Sequence, residues 1–184
     1  MDDGSLSARS AAGDRDAFGA LILRHQAQVR RVCRAVTLDD HDADDAAQDA
    51  FLSALDRIET YDRGRPFGPW LMRIATNAAI DLLRRRNVRR TEALDEAFAG
   101  NTDSPARDAE RAELRFRIQQ ALAALPERQR AAVTLFDLEG YAHAEIAAVL
   151  GIPEGTVRSD VFHARRKLRD ALGVYAPAPD ELEE

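Results

Sequence analysis

Residues 140–172 contain the pattern that most restricts the fold of this chain. In the stretch GYAHAEIAAVLGIPEGTVRSDVFHARRKLRDAL, apolar residues recur at steps of three and four on both sides of Gly151. This spacing predicts two helices joined by a tight turn, with Gly151 at a positive φ where the first helix ends. The apolar stripe of the second helix consists of Val157, Val161, Ala164, Leu168 and Leu172.

The second predicted helix turns polar and basic side chains away from that stripe. A short helix that braces a longer one with such an outward face is typical of the helix-turn-helix, which reads the DNA major groove. An ordinary helical hairpin with a solvated outer face is the alternative interpretation. The candidate DNA contacts on this face and its flanks are Thr156, Arg158, Ser159, His163 and Arg166.

The rest of the chain is also predicted to be helical. Of its 184 residues 45% are apolar and 32% are charged, aromatic residues are few, and no alternating strand pattern occurs. We therefore expect an all-α protein of two small helical domains joined by a flexible linker. The lone cysteine, Cys33, has no disulfide partner within the chain. Neither a signal peptide nor a membrane-spanning run is recognisable, so we expect a soluble, cytoplasmic protein without membrane insertion.

Charge is segregated along the chain, although the net charge is −6. Residues 63–90 carry eight arginines and one acidic residue, whereas residues 39–49 carry six aspartates and no lysine or arginine. This distribution indicates one surface for phosphates and another for a basic partner. Plain solvated faces would give the same pattern, so the charges support the DNA-binding interpretation without deciding it.

A polar stretch divides the chain into two helical modules. Residues 91–110, TEALDEAFAGNTDSPARDAE, have the Gly, Asn, Ser and Pro content of a linker. We predict domains at 1–90 and 111–174, followed by an acidic tail at 175–184. Fully extended, the linker would span up to roughly 65 Å, which approaches two duplex turns of about 34 Å each. The two basic helices are therefore predicted to reach DNA sites on successive turns.

Three segments in this order resemble the extracytoplasmic-function sigma factors, the smallest sigma subunits of bacterial RNA polymerase. They are DADDAAQDAFLSAL (42–55), PFGPWLMRIATNAAIDLLRRR (66–86) and LPERQRAAVTLFDLEGYAHAEIAAVLGIPEGTVRSDVFHARRKLRDAL (125–172). The resemblance implies a sigma region 2 domain at 1–90, for polymerase docking and for recognition and melting of the −10 promoter element. It implies a sigma region 4 domain at 111–174, for recognition of the −35 element.

The resemblance assigns polymerase docking to the first segment, with the clamp helices of the largest polymerase subunit as its partner. The docking residues that it implies are Asp45, Gln48, Asp49, Phe51 and Leu52. Because Phe51 also continues an apolar stripe, we expect it to serve both the core and the partner. Ala46 and Ala47 stand where the family usually has larger aliphatic residues. This implies a smaller apolar contact, either with the polymerase or within the core.

The second segment is similar to the helix that recognises and opens the −10 element, and the loop before it to a site that captures an extruded base. Arginines suit phosphates or unpaired bases, and Asn and Thr suit base edges. Trp70 is expected in the core rather than as a melting wedge. The implied contacts are Tyr61, Arg63 and Arg65 in the loop and, pointing outward from the helix, Arg73, Thr76, Asn77, Ile80 and Arg84.

The third segment is similar to the domain that binds the −35 duplex and grips the polymerase flap, with Phe136 and Leu138 as candidate flap contacts. Two residues depart from the family pattern. Ala142 replaces a capping Ser or Thr, at a cost of about 1 kcal/mol. Asp160 replaces a basic residue, and it either accepts a hydrogen bond from a cytosine amino group or pairs locally with His163.

Catalysis is not predicted, and neither is a metal or cofactor. The four histidines and Cys33 lack metal-ligand spacing, and no glycine-rich phosphate loop is present. Two nonenzymatic alternatives remain: a DNA-binding regulator that acts without polymerase, and a sigma mimic that sequesters an anti-sigma factor. The first has no need of an acidic docking helix, and the second has no need of DNA-facing residues. We therefore predict a sigma factor whose partners are core polymerase, promoter DNA and an anti-sigma factor.

Overall fold

A computed structural model describes residues 1–92 and 107–173, and the side chains of residues 1–87 and 113–173. Within these ranges the chain forms eight α-helices and no strand, which confirms the all-α prediction. The helices are α1 (Asp3–Ala11), α2 (Arg15–Thr37), α3 (Asp40–Asp56), α4 (Phe67–Glu92), α5 (Arg107–Ala123), α6 (Glu127–Val133), α7 (His143–Leu150) and α8 (Glu154–Leu172). A 3₁₀ turn at Ile58–Thr60 and a π-helical turn at Thr134–Leu138 complete the elements.

The predicted linker and tail fall mostly on residues outside this description. Residues 93–106 and 174–184 are not described, so the acidic tail at 175–184 stays a prediction. The ends of the predicted linker belong to helices, because α4 continues to Glu92 and α5 begins at Arg107.

Aspartate side chains begin the first three helices. Asp2, Asp14 and Asp39 each accept a hydrogen bond from the backbone N–H three residues later, at 2.7, 3.0 and 2.9 Å. Such caps satisfy donors that the first helical turn leaves unpaired, and each stabilises its helix by about 1 kcal/mol. The same backbone hydrogen bonds hold the pKa of Asp2 and of Asp14 below its ordinary value. One of the six aspartates in residues 39–49 is therefore a structural cap.

The N-terminal half is a bundle in which α2, α3 and α4 pack against one another and α1 packs on α2. The buried face of α3 consists entirely of alanine, at Ala43, Ala46, Ala50 and Ala54. Side chains this small let neighbouring helices approach closely. Ala46, which departs from the family pattern, is thus a core residue, and Ala47 is half-buried beside it.

Cys33 lies at the centre of this bundle, with its thiol 3.8 Å from the carbonyl oxygen of Ala75. Burial raises the pKa of the Cys33 thiol to about 12. Because the thiolate is the reactive form, we expect Cys33 to resist a thiol reagent such as Ellman's in the folded protein and to react fully in denaturant. Rapid reaction of the folded protein at mildly alkaline pH would contradict this burial.

The C-terminal half contains the predicted helix-turn-helix as α7 and α8, and α8 packs on α5, α6 and α7. Gly151 ends α7 at φ +66°, as the sequence predicts. The stripe of α8 is confirmed, with Val157, Val161 and Ala164 buried. Ala142 is the N-cap of α7 and gives no side-chain cap, but Glu145 accepts a hydrogen bond from the Ala142 N–H at 2.9 Å. This reciprocal bond satisfies one donor despite the missing hydroxyl.

The two halves pack against each other. α7 lies on α4, and α6 contacts both α2 and α4. Buried side chains from both halves share one apolar core, among them Met72 and Ala75 of α4 with Leu135 and Ile146 of the C-terminal half. The C-terminal half therefore covers one side of the N-terminal bundle.

Candidate nucleic-acid and polymerase interfaces

The outward face of α8 carries the residues expected to read duplex DNA. Arg158, Ser159, His163 and Arg166 are exposed, and Thr156 is half-buried near the start of the helix. Arg158 also pairs with Glu154, at 2.5 Å between Nη2 and Oε1. An ion pair at such an exposed site contributes little to stability, so DNA phosphates can compete for the guanidinium.

Asp160 does not lie on this outward face. Its side chain is 5% exposed and accepts hydrogen bonds from Arg128, at 2.7 Å from Nε and 3.3 Å from Nη2. The hydrogen bond to Asp160 raises the pKa of Arg128. Both expectations for Asp160, a contact with cytosine and a pair with His163, are therefore wrong. Asp160 instead ties α8 to α6, which helps to fix the face that α8 turns outward.

Phe162 is a candidate contact that the sequence prediction missed. Its side chain is 64% exposed on α8, and its ring lies edge-on to His163 with centroids 5.5 Å apart. In the major groove, exposed apolar side chains contact the methyl groups of thymine. The sequence held a signal for this residue, since Phe162 falls between the stripe positions Val161 and Ala164 rather than at them.

The outward face of α4 differs in part from the prediction. Arg73, Asn77 and Arg84 are exposed as expected, and Arg84 lies 3.6 Å from Asp81. Thr76 is fully buried and Ile80 is half-buried against the core, so the outward orientation predicted for both is wrong. α4 packs against α7 and α6 of the C-terminal half as well as against α2 and α3, so more of its surface is covered than one apolar stripe indicates.

The loop before α4 contains one buried and two exposed candidates. Tyr61 is 6% exposed; its ring packs edge-on against Phe67, with centroids 5.3 Å apart, and its hydroxyl donates to the carbonyl of Arg65. The prediction that Tyr61 exposes its ring for stacking on a base is therefore wrong. Arg63 and Arg65 are exposed. Trp70 is half-buried, with its ring 5.1 Å from that of Tyr61, in agreement with the expected core position.

The docking face expected on α3 is present as a row of exposed side chains. Asp45, Gln48 and Asp49 are exposed, and Leu52 is 56% exposed beside them. Phe51 is half-buried against the core, which agrees with its expected shared position.

The other aspartates of this acidic segment are engaged within the protein. Asp44 accepts a hydrogen bond from Arg30 at 2.6 Å, Asp40 accepts one from Arg34 at 3.0 Å, and Asp42 pairs with Arg86. Asp45 has no ion pair within the described ranges, and Asp49 approaches Arg85 only at 3.9 Å. Two carboxylates of the six in residues 39–49 therefore remain for a basic partner.

Two open grooves run between α3 and α4 and connect the docking residues with the arginine-rich helix. The first has a volume of about 560 Å³ and is lined by Asp45, Gln48 and Asp49 together with Arg85 of α4. The second, of about 600 Å³, reaches from Asp49 to Trp70, Arg73 and Asn77. The acidic and the basic surfaces are thus neighbours on one bundle.

Comparison with known proteins decides the family. Family models for sigma-70 region 2 and sigma-70 region 4 match residues 21–89 and 115–168. The ECF RNA polymerase sigma factor SigM of Mycobacterium tuberculosis is 40% identical over 172 residues, which cover 93% of this chain and 85% of SigM. The chain belongs to the extracytoplasmic-function sigma factors. It is a transcription initiation factor that acts with core RNA polymerase on promoter DNA, without catalysis of its own.

Solved structures agree with the fold of this sigma factor. The structure of CnrH in complex with the cytosolic domain of CnrY matches with a TM-score of 0.71 and 31% identity, covering 92% of this chain and 96% of CnrH. RpoE of Bartonella quintana, solved with the anti-sigma factor NepR, has a TM-score of 0.72 at 24% identity, covering 85% of this chain and 97% of RpoE. At this identity, the similarity to RpoE is evidence for the fold alone.

The two candidate flap contacts of the sigma factor differ in exposure. Phe136 is half-buried, stacks on His143 with centroids 4.4 Å apart, and lies under the Arg165 guanidinium at 4.8 Å. Leu138 is 57% exposed at the end of the π-helical turn. Leu138 is therefore the more accessible of the two.

None of the helices within the described ranges is both long and apolar enough to cross a bilayer. Within the same ranges, no three His, Cys, Asp or Glu side chains are grouped so that they could hold a metal ion.

Proposed function

We propose that this sigma factor uses three separate surfaces for docking and promoter recognition. The −35 duplex is read by α8, and the −10 element by α4 and the loop before it. The clamp helices of polymerase bind α3. The observation that carries the proposal is the exposed face of α8, where cationic and hydroxyl side chains stand on one side of a helix whose other side is buried.

The −35 contacts combine phosphate binding with direct reading of bases. Arg158 and Arg166 supply charge to phosphates or guanine edges, and Ser159 and His163 supply hydrogen bonds. Thr156 lies at the end of α8 that enters the groove in helix-turn-helix proteins. Phe162 adds an apolar surface for a thymine methyl group.

The −10 contacts lie on the exposed side of α4 and in the preceding loop. Asn77 suits a base edge, while Arg63, Arg65, Arg73 and Arg84 suit phosphates or unpaired bases. Thr76, Ile80 and Tyr61 are covered in the present arrangement, so any contact of theirs with DNA requires movement. Residues 1–90 are proposed as the region 2 domain and 111–174 as the region 4 domain.

Core polymerase docks through the acidic face of α3. Leu52 and the edge of Phe51 would bury apolar surface, and Asp45, Gln48 and Asp49 would set the register against a basic helical partner. Leu138 is the proposed contact with the flap. The site of action is the cytoplasm, where polymerase transcribes.

An anti-sigma factor is a further proposed partner. Support comes from CnrH, which is 31% identical to this chain and was solved with a bound protein, the cytosolic domain of CnrY.

Run-off transcription with bacterial core polymerase on fragments of the source genome tests the proposal. Asn77→Ala and Arg166→Ala each remove one DNA contact, so we expect each to reduce specific transcripts about tenfold or more, at about 1–3 kcal/mol per base contact. Binding to core polymerase should be unchanged, because neither residue lies on α3.

Matched controls are Gln26→Ala and Arg9→Ala, which remove an exposed amide and an exposed guanidinium away from the proposed DNA surfaces. Both controls should transcribe like the wild type. Full transcription by Asn77→Ala and Arg166→Ala would contradict the assigned DNA contacts, and failure of the wild type to bind core polymerase would contradict the docking surface.

A further inference from the structure

The loop that precedes α4 is ordered by its own hydrogen bonds. The backbone N–H of Arg65 donates to the carbonyl of Asp62 at 3.0 Å, and that of Gly64 donates to Oδ1 of Asp62 at 2.9 Å. These bonds form a β-turn in which Arg63 is the first central residue. The Tyr61 hydroxyl donates to the carbonyl of Arg65, which joins the two ends of the loop. Arg63 therefore stands exposed at the tip of an ordered turn.

Three aromatic rings anchor this turn at the start of α4. The Tyr61 ring lies near Phe67 and Trp70, with centroids 5.3 and 5.1 Å away. Phe67 and Trp70 also contact each other, with centroids 5.3 Å apart. Phe67 is 3% exposed, so its ring is fixed by packing on several sides. A displacement of Phe67 would therefore shift Tyr61 and, through it, the loop.

The N-terminal helix α1 reaches this aromatic cluster through His25 of α2. Nε2 of His25 donates to Oδ2 of Asp3, 2.8 Å away, and the imidazole lies against Phe67 with ring centroids 5.4 Å apart. The His25 side chain is 12% exposed, so little water can compete for this hydrogen bond. Arg24 also pairs with Asp3, and its Nη2 donates to the Met1 carbonyl at 2.9 Å. The Asp3 carboxylate thus ties the start of α1 to α2 and holds the ring that contacts Phe67.

α1 is close to the loop at a second point. It packs on the 3₁₀ turn Ile58–Thr60, which leads directly into the loop. Burial, together with the negative charges of Asp3 and Asp62, raises the pKa of Tyr61. The Asp3 carboxylate therefore acts on Tyr61 as well as on His25. α1 is in contact with the supports of the loop, although its own residues lie outside the DNA surfaces proposed above.

We propose that α1 positions the loop for recognition of the −10 element, with Asp3 and His25 as positioning residues. The inference rests on the proposed function, because it takes the loop to be a contact with −10 DNA. Contacts run from Asp3 through His25 and two aromatic rings to the loop, and they restrict the loop to the turn that presents Arg63. Because the turn is ordered before DNA binds, less conformational entropy is lost on binding, and a base must fit a defined geometry.

The fluorescence of Trp70, the only tryptophan of the chain, tests the coupling in the free protein. Asp3→Ala removes the hydrogen bond of His25, so the acrylamide quenching constant of Trp70 should rise about 1.5-fold or more as the cluster loosens. Asp3→Asn keeps an acceptor oxygen for His25, since the exposed Arg24 can turn to solvent, and should give the wild-type constant. Asp16→Ala is the matched control, because it removes an exposed carboxylate from the first turn of α2. Helix content by circular dichroism should be equal in all four proteins.

Discrimination between promoters tests the functional role. On a promoter found by run-off transcription, a base substitution in the −10 element should weaken binding of the wild-type holoenzyme roughly 5- to 150-fold. Asp3→Ala and His25→Phe should each reduce this ratio about threefold or more, because the loop is less well ordered. His25→Phe keeps a ring against Phe67, so it isolates the loss of the hydrogen bond to Asp3. Asp3→Asn and Asp16→Ala should retain the full ratio, and discrimination at the −35 element should be unchanged in every variant.

The ratio separates positioning from damage, because a loss of folded protein lowers binding to both promoters equally. Unchanged quenching in Asp3→Ala would overturn the coupling. Increased quenching with unchanged −10 discrimination would overturn the positioning role.

Arg63→Ala shows which proposal has failed. If Arg63→Ala weakens promoter binding while Asp3→Ala keeps full −10 discrimination, the loop binds DNA without help from α1, and the inference alone is wrong. If Arg63→Ala leaves promoter binding unchanged, the assignment of the loop to −10 DNA is wrong, and the inference fails with it.

Discussion

Arg128→Ala is expected to destabilise the C-terminal half by about 3 kcal/mol, because it leaves a buried carboxylate without its partner. The Asp160 side chain is 5% exposed, whereas that of Arg128 is 54% exposed. Water can therefore replace Asp160 around Arg128, but it cannot replace Arg128 around Asp160. Asp160→Ala should accordingly cost less, about 1 kcal/mol.

Urea denaturation followed by circular dichroism measures both changes. Arg115→Ala is a suitable control, since it removes an exposed arginine from α5 in the same half. The control should change stability by no more than about 0.5 kcal/mol. An Asp160→Ala variant that loses as much stability as Arg128→Ala would contradict the asymmetry of the pair.

The double variant Asp45→Arg, Asp49→Arg should weaken binding to core polymerase about 100-fold, because it sets like charges against a basic partner. These are the two carboxylates of the acidic segment that α2 and α4 leave available. Both lie on the exposed side of α3, so the fold should tolerate the change. Equilibrium binding to labelled core polymerase measures the effect.

A second double variant separates local contact from general charge. Asp16→Arg with Asp170→Arg changes the net charge by the same amount at exposed sites outside the docking face. Its binding should remain within a few-fold of the wild type. Equal loss in both double variants would mean that net charge, and not the face of α3, controls binding.

Local features of this sigma factor could be predicted because neighbouring residues encode them. The stripe of α8 and the positive φ of Gly151 both follow from spacing within a few residues, and both are confirmed. The exposure of Asn77 and Arg73 follows from the same rule. Periodicity thus gave the elements and most of the orientations.

The wrong orientations of Asp160 and Thr76 involve partners that periodicity does not reveal. The sequence predicts an exposed Asp160, but its partner Arg128 lies 32 positions earlier in the chain. The sequence also predicts an outward Thr76, but α7 of the C-terminal half packs on α4. No pattern links Arg31 with Glu139, which are 108 positions apart. Such contacts depend on how the halves pack, which the pattern of one helix does not determine.

Phe162 shows a different limit. An aromatic residue beside an apolar stripe is most often a core residue, so composition argues against exposure. Its angular position on α8 argues for exposure, and the structure agrees with the angle. Where residue type and helical angle disagree, the angle was the better guide in this helix.

The four buried alanines of α3 have a consequence for the order of events at a promoter. With so little side chain between them, the backbone of α3 lies close against α2 and α4, and no long rotamer can adjust the spacing. The proposed docking residues on α3 and the helix α4 therefore behave as parts of one rigid body. If polymerase docks on α3 as proposed, the same event sets the position of α4, and we expect the promoter strand to move to the helix.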